Sequence, residues 1–158
     1  MQFLTNRWRI ILPVLILLGV GIGLLAYLGS PSKTLAISPD YASTVIANEP
    51  FNITLNIRNT TSDDRALISL AIEQEFLAKG IQVERTVPNY RTVSESNHWR
   101  EYRLASSFLP PLAPNEELPF RLTLIATKPG SYATTLTIWV ENEMRPHTVD
   151  IKFEVIED

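Results

Sequence analysis

Between residues 51 and 58 the chain runs Phe51-Asn52-Ile53-Thr54-Leu55-Asn56-Ile57-Arg58, apolar at every odd position and polar at every even one. Successive side chains of a β-strand point to opposite faces, so this segment buries one face of a sheet and wets the other. The same period returns at Ala66, Ile68, Leu70 and Ile72, and at Leu118, Phe120, Leu122 and Leu124. It returns again at Tyr132, Thr134, Leu136, Ile138 and Val140, and at Val149, Ile151, Phe153 and Val155. Weaker strands are expected over residues 34–38, 81–86 and 99–104, with one helical turn over 73–79. Turn clusters such as Asn59-Thr60-Thr61-Ser62-Asp63-Asp64 and Pro129-Gly130 separate the segments, and no strong helical period alternates with them. The expected fold class is all-β, an antiparallel sandwich of seven or eight strands.

The first thirty residues follow a different rule. Ile10 to Leu28 is a run of nineteen uncharged residues. As a helix it would cover about 28 Å, close to the hydrocarbon core of a bilayer. A single transmembrane helix is therefore expected before the sandwich, dividing the chain into a cytoplasmic N-terminus (1–9), the helix (10–28), a linker (29–33) and the sandwich (34–158). Arg7 and Arg9 precede the run and only Lys33 follows it closely, so the positive-inside bias places the N-terminus in the cytoplasm and the sandwich outside. The expected location is the cell membrane, with the C-terminal domain periplasmic or extracellular. Two readings compete. A cleaved signal peptide has a shorter apolar core, about 7–15 residues, and a small-residue cleavage pattern. A buried core helix would hide nineteen apolar residues on all faces, more than a small domain usually accommodates. A lipoprotein anchor is excluded because the chain has no cysteine. Gly19 and Gly23 are four apart on one helix face, a spacing that lets another helix approach closely. They are the candidate helix-packing residues, and membrane lipid and other transmembrane subunits the expected partners.

The exported part is long enough for one domain with its own core. Removing Arg7 and Arg9 from the fourteen basic residues leaves twelve against seventeen acidic, a balance of −5. That acidity argues against nucleic acid as a partner. Without cysteines the domain is stabilised by packing alone, which leans towards a bacterial source. Asn52-Ile53-Thr54 and Asn59-Thr60-Thr61 match the glycosylation pattern, relevant only in a eukaryotic secretory route.

The inventory for catalysis is thin. The domain has no cysteine nucleophile, no Gly-x-Ser-x-Gly turn, and only Gly80 and Gly130 to build a phosphate loop. His98 and His147 lack metal-ligand spacing and read as surface or loop histidines. Asp63-Asp64, Glu116-Glu117, and Glu141-Asn142-Glu143 with Asp150 could offer oxygens to calcium, but read better as solvated turns. No cofactor, metal site or catalytic residue is expected. Residues 87–98 read as a long loop, and long loops in compact domains often carry binding. In and around it lie Arg85, Tyr90, Arg91, His98, Trp99, Arg100, Tyr102 and Arg103. Arginine with tyrosine and tryptophan is the composition favoured at interface hot spots. These eight are the candidate partner-binding residues, although Trp99 by itself is expected in the core.

Leu109-Pro110-Pro111-Leu112-Ala113-Pro114-Asn115-Glu116-Glu117, a strand, Lys128-Pro129-Gly130-Ser131-Tyr132, and another strand resemble a pattern of immunoglobulin-like modules. Bacterial CARDB-like and fibronectin-III-like domains are among these modules. Asn115 stands where glycine is usual and also tolerates the left-handed conformation. Asn48-Glu49-Pro50-Phe51 and Ile57-Arg58-Asn59 resemble the early part of the same modules. The resemblance implies an extracytoplasmic binding or spacer domain and carries over no catalytic residue. The expected function is non-catalytic: an accessory subunit of a larger membrane complex, such as a respiratory, photosynthetic or transport complex, with an extracytoplasmic protein partner. The alternative is a membrane-anchored surface module binding glycan or peptide.

Overall fold

The computed structural model describes residues 34–104 and 109–157. The chain divides after Pro31 into two units, and every element described below belongs to the second, Ser32–Asp158. Residues 10–28, with Gly19 and Gly23, lie outside the described residues. Among the described residues no helix is long and apolar enough to cross a membrane.

Ten strands and one short helix run in order: β1 (Leu35–Tyr41), β2 (Thr44–Ile46), β3 (Pro50–Asn59), β4 (Leu67–Glu73), α1 (Gln74–Ala78), β5 (Ile81–Val87), β6 (Tyr90–Glu95), β7 (Trp99–Leu104), β8 (Glu117–Ala126), β9 (Gly130–Val140) and β10 (His147–Ile156). They form a sheet ordered β1-β3-β8-β5 and a second ordered β2-β10-β9-β4-β7-β6. The sandwich is immunoglobulin-like as expected, with more strands than expected. It is also not wholly antiparallel, since β2 runs parallel to β10. Residues 87–98 are not a loop, because β6 occupies their middle and pairs antiparallel with β7.

The alternation builds the core. Ile53, Leu55 and Ile57 of β3 and Phe120, Leu122 and Leu124 of β8 turn one face of the smaller sheet inward, each 0–1% exposed. Leu136, Ile138, Ile151, Phe153 and Val155 answer from the larger sheet. Phe51 of the first sheet meets Phe153 of the second with ring centroids 5.0 Å apart, and Tyr132 stacks on Phe153 at 5.6 Å. The Tyr132 hydroxyl donates to the Lys128 carbonyl at 2.7 Å. That bond gives the Lys128-Pro129-Gly130-Ser131-Tyr132 stretch its role, tying a core ring to the turn that precedes it. A bulge between Val83 and Arg85 flips the alternation of β5, burying Thr86 and turning Arg85 outward.

Early in the chain the two sheets are joined by a switch. β1 pairs with β3, then the chain crosses and β2 lies beside β10. Glu154 N donates to the Ser43 carbonyl at 2.9 Å, and Ala47 N to the Ile156 carbonyl at 2.9 Å. Asn48 and Asn115 both take positive φ, 64° and 63°, at the turns entering β3 and β8. For Asn115 this is the conformation expected from the sequence.

Asn59 holds the other end. It is fully buried, and its Nδ2 donates to the carbonyls of Asp63 (2.8 Å) and Leu112 (2.9 Å). Its Oδ1 accepts from the Thr61 backbone N–H (3.0 Å) and hydroxyl (2.8 Å). Its backbone N–H donates to the Glu116 carbonyl and its own carbonyl accepts from Asn115 N–H, each at 3.0 Å. Every polar group of the residue is satisfied, and two connections between strands hang on one amide. Replacing Asn59 with Ala removes all four side-chain hydrogen bonds at once and leaves a void at a fully buried position, with the Leu112 carbonyl keeping only the Arg65 N–H, so the domain is expected to lose about 3 kcal/mol of stability. A urea titration of the variant, read as a shift of midpoint at constant slope, checks this.

Candidate functional site

The outward face of the larger sheet carries the site. Along one line of cross-strand neighbours stand Thr148, Thr137, Ala71, Glu101 and Ser94, contributed by β10, β9, β4, β7 and β6 in turn. All but Glu101 are small, and together they floor a trough. Trp139 stands two positions along on one side, in line with Ser69 and Arg103. Trp99 stands two positions along on the other side, opposite Glu73. The tryptophans thus rise from opposite rims, about 13 Å apart along the strand direction. The trough encloses about 470 Å³, lined also by Glu95, Ser96 and Pro146. Trp99 is 42% exposed, which corrects the expectation that it belongs to the core. It lies on a strand whose outward positions are 99, 101 and 103, while Tyr102 takes the inward place.

Glu101 is held by three strands. Its Oε1 accepts from the Ser69 hydroxyl at 2.6 Å, and its Oε2 accepts from the Ser94 hydroxyl at 3.2 Å and from Arg103 Nε at 3.4 Å. The Ser69 hydroxyl, then the Arg103 charge and the Ser94 hydroxyl, outweigh burial and hold its pKa below the usual carboxylate value. The trough therefore contains a carboxylate that stays ionised and is fixed in place.

The eight predicted contact residues do not form one cluster. Arg85 projects from the outer face of the other sheet, beside Thr123. The remaining seven lie on the β6–β7 hairpin but divide between its faces. Trp99 and Arg103 share the trough face with Glu101, whereas Arg100, Tyr102 and Tyr90 lie on the reverse. There Tyr90 and Tyr102 meet edge to face at 5.2 Å, and Arg100 pairs with Glu95 at 2.8 Å. Burial raises the Tyr102 hydroxyl above its ordinary pKa, with Arg100 opposing. Arg91 falls in the bulge between Tyr90 and Thr92, and His98 sits in the turn, where its carbonyl accepts from Gln74 N–H at 2.8 Å. Glu101 is absent from the residues the sequence singles out, although Trp99, Glu101 and Arg103 at alternate positions already share one strand face.

His147 is not a surface histidine: it is 4% exposed. Its Nε2 lies 3.2 Å from Glu143 Oε2 and 3.0 Å from the Thr34 hydroxyl, and that hydroxyl in turn donates to Glu143 Oε1. The carboxylate of Glu143, expected in a solvated turn, thus fastens residue 34 to the β9–β10 connection. Glu116 keeps to its turn and accepts from Ala113 N–H at 2.7 Å, whereas Asp150 lies on β10 and accepts from the hydroxyl of its cross-strand neighbour Thr135 at 2.9 Å. Among the described residues no three acidic or histidine side chains group as a metal site would require.

No family model and no curated protein sequence matches the chain. Solved structures resemble it in fold. A CARDB domain of a Pyrococcus furiosus protein, solved in complex with di-metal ions, aligns with TM-score 0.50 and 12% identity, covering 78% of this chain and 94% of that one. A cohesin module of a family 33 glycoside hydrolase from Clostridium perfringens aligns with TM-score 0.53 and 10% identity, over 80% of this chain and 100% of that module. A segment of E. coli alpha-2-macroglobulin, 7% of that chain, aligns with 80% of this one at TM-score 0.52 and 14% identity. The fold is that of CARDB-like and other immunoglobulin-like β-sandwich domains. At such identities the likeness extends to fold alone.

Burial holds the imidazole of His147 below its ordinary pKa of 6.5, with the Glu143 carboxylate opposing. The unfolded chain therefore binds the proton more readily, and stability rises with pH through this window. Stability is expected to be full above pH 6.5 and to fall as the pH drops below it, until the folded imidazole itself protonates. The slope is at most about 1.4 kcal/mol per pH unit. Urea midpoints between about pH 5 and 8 check this, and His147→Gln should flatten the curve.

Proposed function

We propose that the protein is a non-catalytic, single-pass membrane protein that serves as an accessory subunit of a larger membrane complex. Its apolar helix at 10–28 contacts lipid and other transmembrane subunits through Gly19 and Gly23, and its sandwich contacts a protein partner outside the cytoplasm. One observation carries the extracytoplasmic half: Trp99 stands exposed on the rim of an open trough beside Glu101, a carboxylate fixed by Ser69 and Ser94. A large ring left in water next to a preorganised charge is the usual make-up of an interface anchor. Arg103, on the same face, adds a second group of the type enriched at such sites.

The same trough supports the alternative, a membrane-anchored surface module binding glycan or peptide. Two tryptophans over a floor of hydroxyl and carboxylate groups suit a ligand with both apolar and polar faces.

Extraction of the tagged full chain in mild detergent separates the two. An accessory subunit is expected to co-purify with a partner in fixed ratio. The pair Trp99→Ala and Arg103→Glu should lower the partner yield about tenfold, the loss of roughly 1.4 kcal/mol, without shifting the thermal midpoint. Gly19→Leu with Gly23→Leu should lower recovery of membrane-embedded partners instead. A wild-type chain that runs alone and is retained on cell-wall polymer would favour the alternative.

A further inference from the structure

Of the strands in the larger sheet, β6 stands out. Among the described residues it pairs only with β7, and all six of its residues are exposed. Ser96 N–H donates to the Trp99 carbonyl at 2.9 Å to close the hairpin. That bond places Ser94 and Glu101 in a hydrogen-bonded pair, so the next pairs on either side are not hydrogen-bonded. The backbone N–H and C=O groups of Val93 and Glu95 consequently face away from β7, towards the open edge. An edge of this kind is a template for another extended chain. The bulge at Arg91 breaks the ladder at one end and confines the usable edge to the stretch around Val93–Glu95.

The trough meets that edge at Ser94. From Ser94 the floor runs across the sheet to Glu101, Ala71 and Thr137, and the carboxylate it presents is that of Glu101, since the Glu95 carboxylate pairs with Arg100 on the reverse face. A residue paired with Ser94 on an added strand would have its Cβ about 5 Å from that of Ser94 and about 10 Å from that of Glu101. Those are the reaches of an extended lysine or arginine meeting a glutamate. Each oxygen of Glu101 still has acceptor capacity beyond Ser69, Ser94 and the long contact to Arg103. Trp99, on the rim, offers a ring face to a passing cation. We infer that β6 takes up an extended segment of a partner protein as an added strand, with a basic side chain opposite Ser94 lying along the trough to Glu101. This rests on the proposal of a protein partner outside the cytoplasm and names what that partner presents.

The experiment selects a phage-displayed library of random twelve-residue peptides on the full chain in lipid nanodiscs. Enriched sequences should place arginine or lysine among alternating β-branched residues. Val93→Pro removes an outward N–H that β7 does not use, so it should weaken the selected peptides about tenfold or more while the thermal midpoint holds. Glu101→Gln should weaken only peptides that keep the basic residue, and exchanging that residue for glutamine should then cost nothing further. Peptides without a basic preference, binding indifferent to Val93→Pro, or no enrichment at all would overturn the inference. So would chitooligosaccharide binding that needs Trp99 and ignores Val93→Pro, which would assign the trough to glycan. A co-purifying partner retained by the Val93→Pro chain would sink the added strand and leave the accessory role standing. Selected peptides on a wild-type chain that has no co-purifying partner would do the reverse.

Discussion

The contact of two apolar sheet faces is the constraint on which every other part of this domain depends. Ile53, Leu55 and Ile57 on one side need Leu136, Ile138 and Ile151 on the other, because neither sheet can leave such a face in water. Phe51 and Phe153 bridge the layers near the strand switch, where the chain leaves one sheet as β1 and joins the other as β2. With the inner faces committed to each other, only outer faces and edges are free to recognise anything. The trough and the β6 edge are those leftover surfaces, and their chemistry is set by residues the core does not need.

The trough also shows how a sheet makes a site out of ordinary parts. Four small residues and a glutamate from five strands fall in one line because cross-strand neighbours share a face. No one of these strands carries a recognisable motif. What distinguishes the spot is that Ser69 and Ser94 hold Glu101 still, so its charge is presented in a fixed direction at little ordering cost on binding. The reverse face of the same hairpin packs Tyr90 against Tyr102 and pairs Arg100 with Glu95, which stiffens the strand that carries Trp99.

Where burial is one-sided, the fold is legible from the residues alone. β3, β8, β9 and β10 alternate cleanly and lie within one or two residues of their expected bounds. β6 reads as loop because neither of its faces is buried, and an edge strand exposed on both sides leaves no apolar period to detect. β2 is three residues long and gains its place from parallel pairing with the far end of the chain, which no local pattern announces. Trp99 misleads for a related reason: a large ring argues for burial unless its neighbours on the same face are known to be small and polar. The same holds for His147, whose partner Thr34 is 113 residues away. The candidate site is legible as a neighbourhood, the hairpin at 90–104, but its division between two faces needs the register.

Asn59 has a consequence for how the protein is made. Asn59-Thr60-Thr61 is an acceptor sequence for N-linked sugar, yet the amide a transferase would modify is the one that joins Asp63 and Leu112 in the folded domain. A sugar attached during synthesis in a eukaryotic host would occupy the nitrogen before the cradle could form, trapping the chain unfolded. The customary remedy, exchanging the threonine two places on, is closed as well. The Thr61 hydroxyl donates to Asn59 at 2.8 Å and receives Arg65 Nε at 3.1 Å, so the residue that licenses glycosylation also secures the fold. The domain therefore calls for a host that does not glycosylate it.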